Sequence, residues 1–160
     1  MSLADLPVAE AQAIIAMAKF IAEEDMVWSE SPDHGTHMVF SGPLYDENGR
    51  TIVGLTFEIA FRVPARFDDC KYLFTVFAFR PGGRRRVYQL EVIPHEDVGH
   101  RDEKGELFGP HEHIGQLAQE VRVGNLNCKH HEQWFREFLS RANIRYGGRY
   151  FGPFEGGLFQ

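Results

Sequence analysis

The segment Thr51–Val63, TIVGLTFEIAFRV, decides the fold because apolar and polar residues alternate along it. The apolar residues predicted to share one face are Val53, Leu55, Phe57, Ile59, Phe61 and Val63. The opposite face carries Thr56, Glu58 and Arg62. A period of two residues is typical of a strand with one buried face, so the segment is predicted to be a long antiparallel strand.

A second strand is predicted immediately before this segment, at His37–Tyr45. The two are joined by Asp46-Glu47-Asn48-Gly49, and Asn-Gly between apolar runs is a strong hairpin signal. The polar stretch Asp25–Gly35, which contains a proline and a glycine, is predicted to be a loop.

Two more strands are predicted after the segment. Pro64–Asp69 turns the chain into Lys71–Arg80, which is apolar on both faces and is therefore expected to be central. Pro81-Gly82-Gly83 then leads into Arg84–Ile93, where Tyr88, Leu90 and Val92 share a face. The four runs together predict an antiparallel β-meander.

Helical periodicity occurs at both ends of the chain. Pro7–Glu24 is predicted to be a helix that Asp5 caps, with a buried face of Val8, Ala11, Ile14, Ile15, Ala18 and Ile21. A second helix within Cys128–Ile144, capped by Asn127, has an apolar face of Trp134, Phe135, Phe138, Leu139 and Ala142. Gln116–Asn127 fits neither pattern.

These elements predict an α+β fold in which the meander packs against the N-terminal helix and the helix of the C-terminal half. Residues 1–160 are predicted to form a single domain. Residues 145–160 form a glycine- and aromatic-rich C-terminal arm, expected to lie against the sheet or against a neighbouring subunit. The arm therefore predicts a homo-oligomer.

Composition narrows the functional classes. The net charge of −6 disfavours RNA or an acidic membrane as a general partner. No apolar run is long enough to span a membrane, and the N-terminus lacks the pattern of a signal peptide, so a cytoplasmic protein is expected. Cys70 and Cys128 lie far apart in the sequence and are expected to be buried free thiols.

The segment Val92–Gly115, VIPHEDVGHRDEKGELFGPHEHIG, carries four of the eight histidines of the chain. Glu103-Lys104-Gly105-Glu106 is predicted to be a hairpin tip with His95–Asp102 and Leu107–Ile114 as its arms. A polar, histidine-rich segment that follows the strand pattern is the main candidate for a functional site.

His111 and His113 are two residues apart, so on a strand both imidazoles leave the same face. With His95 as a further ligand, and His100, Asp97 or Glu112 as alternatives, they would bind zinc or another divalent metal. A metal-free alternative is acid–base catalysis by His100, His111 and His113, with Arg101 or Arg84–Arg86 neutralising a phosphate. The third alternative is that the histidines are ordinary hydrogen-bonded strand residues.

The order of these parts resembles a group of small bacterial and phage-associated proteins, some of which are encoded beside antitoxin-like regulators. The matching residues are His100, Arg101, Asp102, Gly105 and Gly109-Pro-His-x-His113, and the likeness covers residues 8–115. The resemblance implies the fold and a phage or mobile-element origin, and it carries no established reaction.

Two functions are therefore expected. The first is an intracellular binding or assembly protein that recognises a protein partner through its aromatic arm and sheet edge. The alternative is a histidine-dependent, toxin-like hydrolase acting on RNA or another phosphodiester, with or without a divalent metal.

Overall fold

The computed structural model describes residues 4–32, 37–62 and 69–153. Within these ranges the chain has two helices, α1 (Val8–Ala16) and α2 (His131–Ala142), which contact each other and pack against one face of a ten-stranded sheet. The α+β fold with an antiparallel meander and two helices is therefore confirmed. Neither helix in the described ranges is long and apolar enough to cross a membrane.

The strands are short at the ends of the chain and long in the middle. In chain order they are β1 (Ala4–Asp5), β2 (Lys19–Ile21), β3 (Ser29–Glu30), β4 (His37–Tyr45), β5 (Thr51–Arg62), β6 (Tyr72–Arg80), β7 (Gly83–Val92), β8 (Val98–Asp102), β9 (Gly105–Phe108), β10 (His111–Ile114), β11 (Leu117–Glu120) and β12 (Ile144–Tyr146).

The spatial order of the main sheet is β11-β10-β7-β6-β5-β4-β2-β12, with β1 pairing with β7 and β3 with β4. The four-strand meander β4-β5-β6-β7 predicted from the sequence lies at its centre, and β6 is a central strand as expected. Two further strands extend the meander on each side. The strands β8 and β9 form a separate two-stranded sheet.

The predicted face of β5 is correct for four of its members, because Leu55, Phe57, Ile59 and Phe61 are buried. Val53 was expected on the same face and is 94% exposed. Gly54 has a positive φ of 78°, and the pairing with β4 shifts between Pro43 and Tyr45. This bulge reverses the alternation before Leu55, and Val63 lies outside the described residues.

The hairpin between β4 and β5 is confirmed. Asp46 Oδ1 accepts hydrogen bonds from the backbone N–H groups of Asn48 at 2.8 Å and Arg50 at 3.0 Å. Gly49 takes the positive φ of 76° that this turn requires. The adjacent loop prediction, Asp25–Gly35, is wrong at β3, which pairs with β4, while its residues 33–35 lie outside the described chain.

The first helix is shorter than predicted. It ends at Ala16 instead of Glu24, and Lys19–Ile21 forms β2, which pairs with β4 and β12. Asp5 does not cap it, because its carboxylate binds Arg86 at 2.7 Å. Lys19 is fully buried and donates to the carbonyls of Ile14, Ile15 and Met17 at 2.8, 3.1 and 2.6 Å, which ends the helix there.

The second helix has the predicted apolar face, since Trp134, Phe135, Phe138, Leu139 and Ala142 are all buried. The ring of Phe138 stacks on Phe74 of β6 at 5.5 Å and on Tyr88 of β7 at 6.2 Å, which places α2 over the centre of the sheet. Asn127 is not the N-cap. Its backbone carbonyl accepts from Trp134 Nε1 at 3.0 Å, and the helix begins after His130.

The described part of the C-terminal arm packs against other residues of the same chain. Trp28 Nε1 donates to the Phe151 carbonyl at 2.6 Å, and the ring of Tyr150 lies 5.2 Å from that of Phe135. Tyr150 is 9% exposed and belongs to the core. Residues 154–160 are outside the described chain.

Cys70 and Cys128 form a disulfide, which corrects the expectation of free thiols. Both residues are buried, and their Cα atoms are 5.7 Å apart although 58 positions separate them in sequence. The fold brings the residues before β6 and the loop before α2 together. Distance along the chain therefore gave no guide to their distance in space.

Candidate functional site

Strand β10 places His111 and His113 on the same face of the main sheet, as their spacing predicts. It pairs with β7 so that His111 lies opposite Glu91 and His113 opposite Gln89. Their ring centroids are 5.2 Å apart. The predicted hairpin arm Leu107–Ile114 is wrong in its second half, because β9 ends at Phe108 and β10 joins the main sheet instead.

A hairpin forms where it was predicted, but only Glu103 and Lys104 of the predicted tip form the turn, because β9 begins at Gly105. Its first arm, β8, begins at Val98 instead of His95 and brings a third histidine to the pair. The ring of His100 lies 5.2 Å from that of His113 and 6.5 Å from that of His111. A Cβ built on the adjacent Gly99 would lie 2.3 Å from His111 Cε1, so only glycine allows this close packing. We call His100, His111 and His113 the histidine cluster.

His111 is completely buried and lies between two acceptors. Its Nδ1 is 3.0 Å from the Gly109 carbonyl, and its Nε2 is 3.1 Å from Glu91 Oε2. The Glu91 oxygen lies off the direction of the ring N–H, so in the described chain Nε2 has a charge contact without a well-directed hydrogen bond. Burial lowers the pKa of His111, but Glu91 and the Gly109 carbonyl outweigh burial and raise the pKa overall.

The neighbouring His113 is 6% exposed and has the opposite electrostatic environment. Burial lowers its pKa to about 3, and the positive charges of Arg86, His111 and His100 act in the same direction. His113 is therefore neutral at physiological pH. The two adjacent imidazoles thus favour different protonation states, as general acids and bases do, but both are shielded from solvent.

His100 is the most accessible member of the cluster, with 27% of its side chain exposed. Its Nε2 lies 3.0 Å from Asp102 Oδ2, a contact that orients the ring. The backbone N–H of Lys104 and then His100 lower the pKa of Asp102, so this carboxylate is ionised.

Two other predicted site residues do not join the cluster. His95 Nε2 lies 3.1 Å from the Leu126 carbonyl, and its ring packs beside Gly109. The Arg101 side chain is 73% exposed and its nearest charged partner is Glu106 at 3.5 Å. Of the predicted arginines, Arg86 is near enough for its charge to lower the pKa of His113, but its guanidinium is already paired with Asp5 at 2.7 Å and with Gln89 at 2.8 Å.

The metal hypothesis also lacks its ligand set. Among the residues that the structure describes, no three His, Cys, Asp or Glu side chains are arranged to hold a metal ion. His95, His111 and His113 are thus not assembled as ligands. Glu112, suggested as a further ligand, points to the opposite face, where it accepts from Tyr88 Oη at 2.7 Å and Arg141 Nη1 at 3.1 Å.

A second feature lies on the same sheet face as the cluster. Phe74 and Leu90 face α2, so the alternating neighbours Thr75 and Gln89 face the other way. That face forms a depression of about 640 Å³, which we call the trough. Its lining includes Ser29, Glu30, Val39, Ser41, Glu58, Ala60, Lys71, Leu73, Thr75, Phe77, Arg84 and Gln89.

A chain of hydrogen bonds holds the floor of the trough. Asp5 pairs with Arg86 at 2.7 Å, Arg86 Nη1 donates to Gln89 Oε1 at 2.8 Å, and Gln89 Nε2 donates to Thr75 Oγ1 at 2.8 Å. The Thr75 oxygen accepts this one bond, and its O–H group is a donor as well. The floor is polar and preorganised, as a recognition surface requires.

The trough residues were not predicted as a site. The sequence suggested that β6 is apolar on both faces, which hid Thr75, and Gln89 appeared as one polar residue in an apolar strand. Both are buried polar residues, 3% and 7% exposed, on central strands. A polar residue inside a central strand was the available signal.

Comparison of the chain with models of known protein families, with curated proteins and with solved structures found no similar protein.

Proposed function

We propose that the protein is a binding or assembly protein that holds its partner in the trough. The observation that carries this proposal is the contrast between the two faces of the sheet. One face is covered by both helices, whereas the trough is open and lined by polar and charged side chains from neighbouring strands. Concave surfaces with a few fixed polar groups are where proteins bind ligands.

Within this proposal the histidine cluster has a structural role. His111 and His113 are 0% and 6% exposed, so a substrate has no direct access to either ring. Both imidazoles pack beneath the β8–β9 hairpin through His100 and Gly99. The cluster attaches this hairpin to the sheet beside the trough.

Filling the trough tests the proposal. Ser41 lies at its wall and is exposed, so Ser41→Trp adds a large side chain there without replacing a core residue. Thr51→Trp is the matched control, since Thr51 is an exposed strand residue that does not line the trough. Cross-linking in cells of origin followed by mass spectrometry should identify a partner with the wild type and the control.

The Ser41→Trp variant should fail to cross-link to that partner while keeping its melting temperature. Equal recovery of the partner by Ser41→Trp and Thr51→Trp would show that the trough is not the binding surface.

A second candidate is the histidine-dependent hydrolase acting on RNA or another phosphodiester. It is favoured by three imidazole rings within 5.2–6.5 Å of one another, two of which have pKa values shifted in opposite directions. A metal-free reaction would give a bell-shaped pH–rate profile, and His100→Ala would lower the rate by roughly 10²–10⁴. If the protein cleaves RNA and the His100→Ala variant cleaves it at the same rate, the histidine cluster is not the catalytic site.

The second candidate also includes a hydrolase that depends on a divalent metal such as zinc. Metal analysis of protein purified without chelator tests it directly. Near-stoichiometric zinc that is lost in both His111→Ala and His113→Ala would support a metal-dependent hydrolase.

Self-association is part of the assembly proposal. The exposed apolar side chains Val53, Phe79 and Phe108 are surfaces on which a second copy can pack. Light scattering over a range of concentrations tests for a homo-oligomer. Deletion of residues 147–160 is unsuitable as a test, because it removes the core residue Tyr150.

The cytoplasmic location expected from the sequence stays a proposal. The Cys70–Cys128 disulfide is typical of oxidising compartments and weighs against it.

A further inference from the structure

One end of the trough carries a positive charge. Lys71 is half-buried where the trough meets a smaller depression that Arg62 and Glu91 also line. Arg62 binds the nearby Asp69 at 2.8 Å. Within the described residues, no carboxylate lies at ion-pair distance from the Lys71 ammonium. An anionic group of a ligand would find its counter-ion here.

The other end is apolar. Phe79 is 55% exposed and lines, with Pro43, Phe57 and Phe77, a depression of about 370 Å³ that shares Ser41 and Arg84 with the trough. Large apolar side chains exposed beside a polar groove are typical of interaction sites. This end would accept an apolar side chain.

The two ends are spaced for an extended polypeptide. Lys71 precedes β6 and Phe79 lies near its end, so they are about 26 Å apart along the strand direction. An extended chain of about eight residues spans that distance. Between the ends, the hydroxyl of Ser41 and that of Thr75 line the trough and can hydrogen-bond to peptide groups.

The charges that line the trough disfavour a polyanion such as RNA. The only arginine that lines it, among the described residues, is Arg84, which pairs with Glu58 at 3.3 Å. Glu30 adds a further exposed carboxylate at the rim. A ligand with phosphates along its length would lie against these carboxylates, whereas a polypeptide with one acidic residue would not.

We infer that the occupant of the trough is an extended polypeptide segment of a partner protein. An acidic residue of the segment binds Lys71, and an apolar residue about eight positions away packs beside Phe79. This inference rests on the proposed function and specifies its ligand class.

Selection from a displayed library of random peptides on the wild-type protein tests the inference. The enriched peptides should share an acidic and an apolar residue at about that spacing. Fluorescence polarisation of a labelled selected peptide then compares variants. Lys71→Glu should weaken binding by roughly tenfold or more, because attraction becomes repulsion. Phe79→Ser should also weaken it, whereas Lys129→Glu, an equal charge change at an exposed site elsewhere, should not.

The outcomes separate the inference from the proposed function. If Ser41→Trp abolishes binding but Lys71→Glu behaves like Lys129→Glu, the trough binds ligands and the inferred ligand class is wrong. If no peptide is enriched, the inferred ligand class is wrong, and the cross-linking of Ser41→Trp against Thr51→Trp still decides the proposed function. If Ser41→Trp affects neither peptide binding nor that cross-linking, both are overturned. If a single-stranded RNA oligonucleotide displaces the peptide, and Lys71→Glu prevents the displacement, the ligand of the trough is a nucleic acid and not a polypeptide.

Discussion

His111 and Glu112 are consecutive residues of β10, and their buried side chains lie on opposite faces of the sheet. His111 packs beneath the β8–β9 hairpin, whereas Glu112 contacts Tyr88 and the α2 residue Arg141. A strand that is polar on both faces is therefore held between two layers. The polar groups that compensate burial come mostly from the sheet and its loops: Gly109 and Glu91 for His111, and Tyr88 and Gln119, with Arg141 of α2, for Glu112.

Glu112 is expected to be important for stability. Gln119 Nε2 donates to its second oxygen at 2.7 Å, and burial together with Glu112 raises the pKa of Tyr88, which stays a donor. Glu112→Ala would leave these donors without an acceptor and should lower the free energy of unfolding by about 2–4 kcal/mol. Urea denaturation measures the change.

The matched control is Glu132→Ala, which removes an exposed carboxylate from α2 and should cost less than about 0.5 kcal/mol. Equal stabilities of the two variants would mean that the Glu112 network does not contribute.

The central meander was predictable because the alternation of apolar and polar residues along its strands indicates which side chains are buried. Leu55, Phe57, Ile59 and Phe61 occupy every second position of β5, and Asn48-Gly49 marks the turn before them. The exception was Val53, because a single glycine with positive φ reversed the alternation. Such a bulge depends on the pairing with β4, which the sequence of β5 alone does not contain.

The surroundings of the candidate site were less predictable because they depend on contacts between distant segments. The spacing of His111 and His113 correctly predicted one shared face, but not that the β8–β9 hairpin would cover it. Lys19 appeared to lie off the buried face of a helix, yet it is buried where three backbone carbonyls accept hydrogen bonds from its ammonium group. The sequence near Lys19 does not show that these carbonyls would be in reach of its side chain.

His113 predicts a loss of stability in acid. Its folded-state pKa of about 3 lies below the unfolded value of about 6.5, so the unfolded chain binds the proton more readily between these values. The stabilisation is complete above about pH 6.5 and decreases as the pH falls towards 3. At pH 4 the loss attributable to His113 should be about 3 kcal/mol.

His113→Gln should isolate this effect, since glutamine does not titrate and both proteins share the titration of their carboxylates. The measured quantity is the difference in unfolding free energy between the two proteins at pH 7 and pH 4. The raised pKa of His111 acts in the other direction, because its stabilisation is present below about pH 6.5 and is lost as the pH rises. A difference that does not change with pH would show that His113 is not buried as a neutral group.

Aspartate placed at two positions of β5 tests which side chains of this strand are buried. Phe57 is 3% exposed and Val53 is 94% exposed, although both were predicted on the buried face. Phe57→Asp should prevent folding because it places an unpaired charge in the core. Val53→Asp should change stability by less than about 0.5 kcal/mol. Thermal melts followed by circular dichroism compare them, and similar destabilisation by both would mean that the bulge at Gly54 does not form.

The disulfide is expected to make a large contribution to stability. It joins Cys70 and Cys128, whose sequence separation is 58, and restricting the unfolded chain over such a loop contributes about 2–4 kcal/mol. The Cys70→Ala/Cys128→Ala variant should be less stable by that amount in urea denaturation. A thiol reductant should lower the stability of the wild type to that of the variant and leave the variant unchanged, which controls for general effects of the reductant.

The free thiols of the chain can also be counted directly, in denaturant, on protein alkylated at the moment of cell lysis. This measurement should find no free thiol. Two reactive thiols per chain would contradict the disulfide and return both cysteines to the buried, reduced state expected of a cytoplasmic protein.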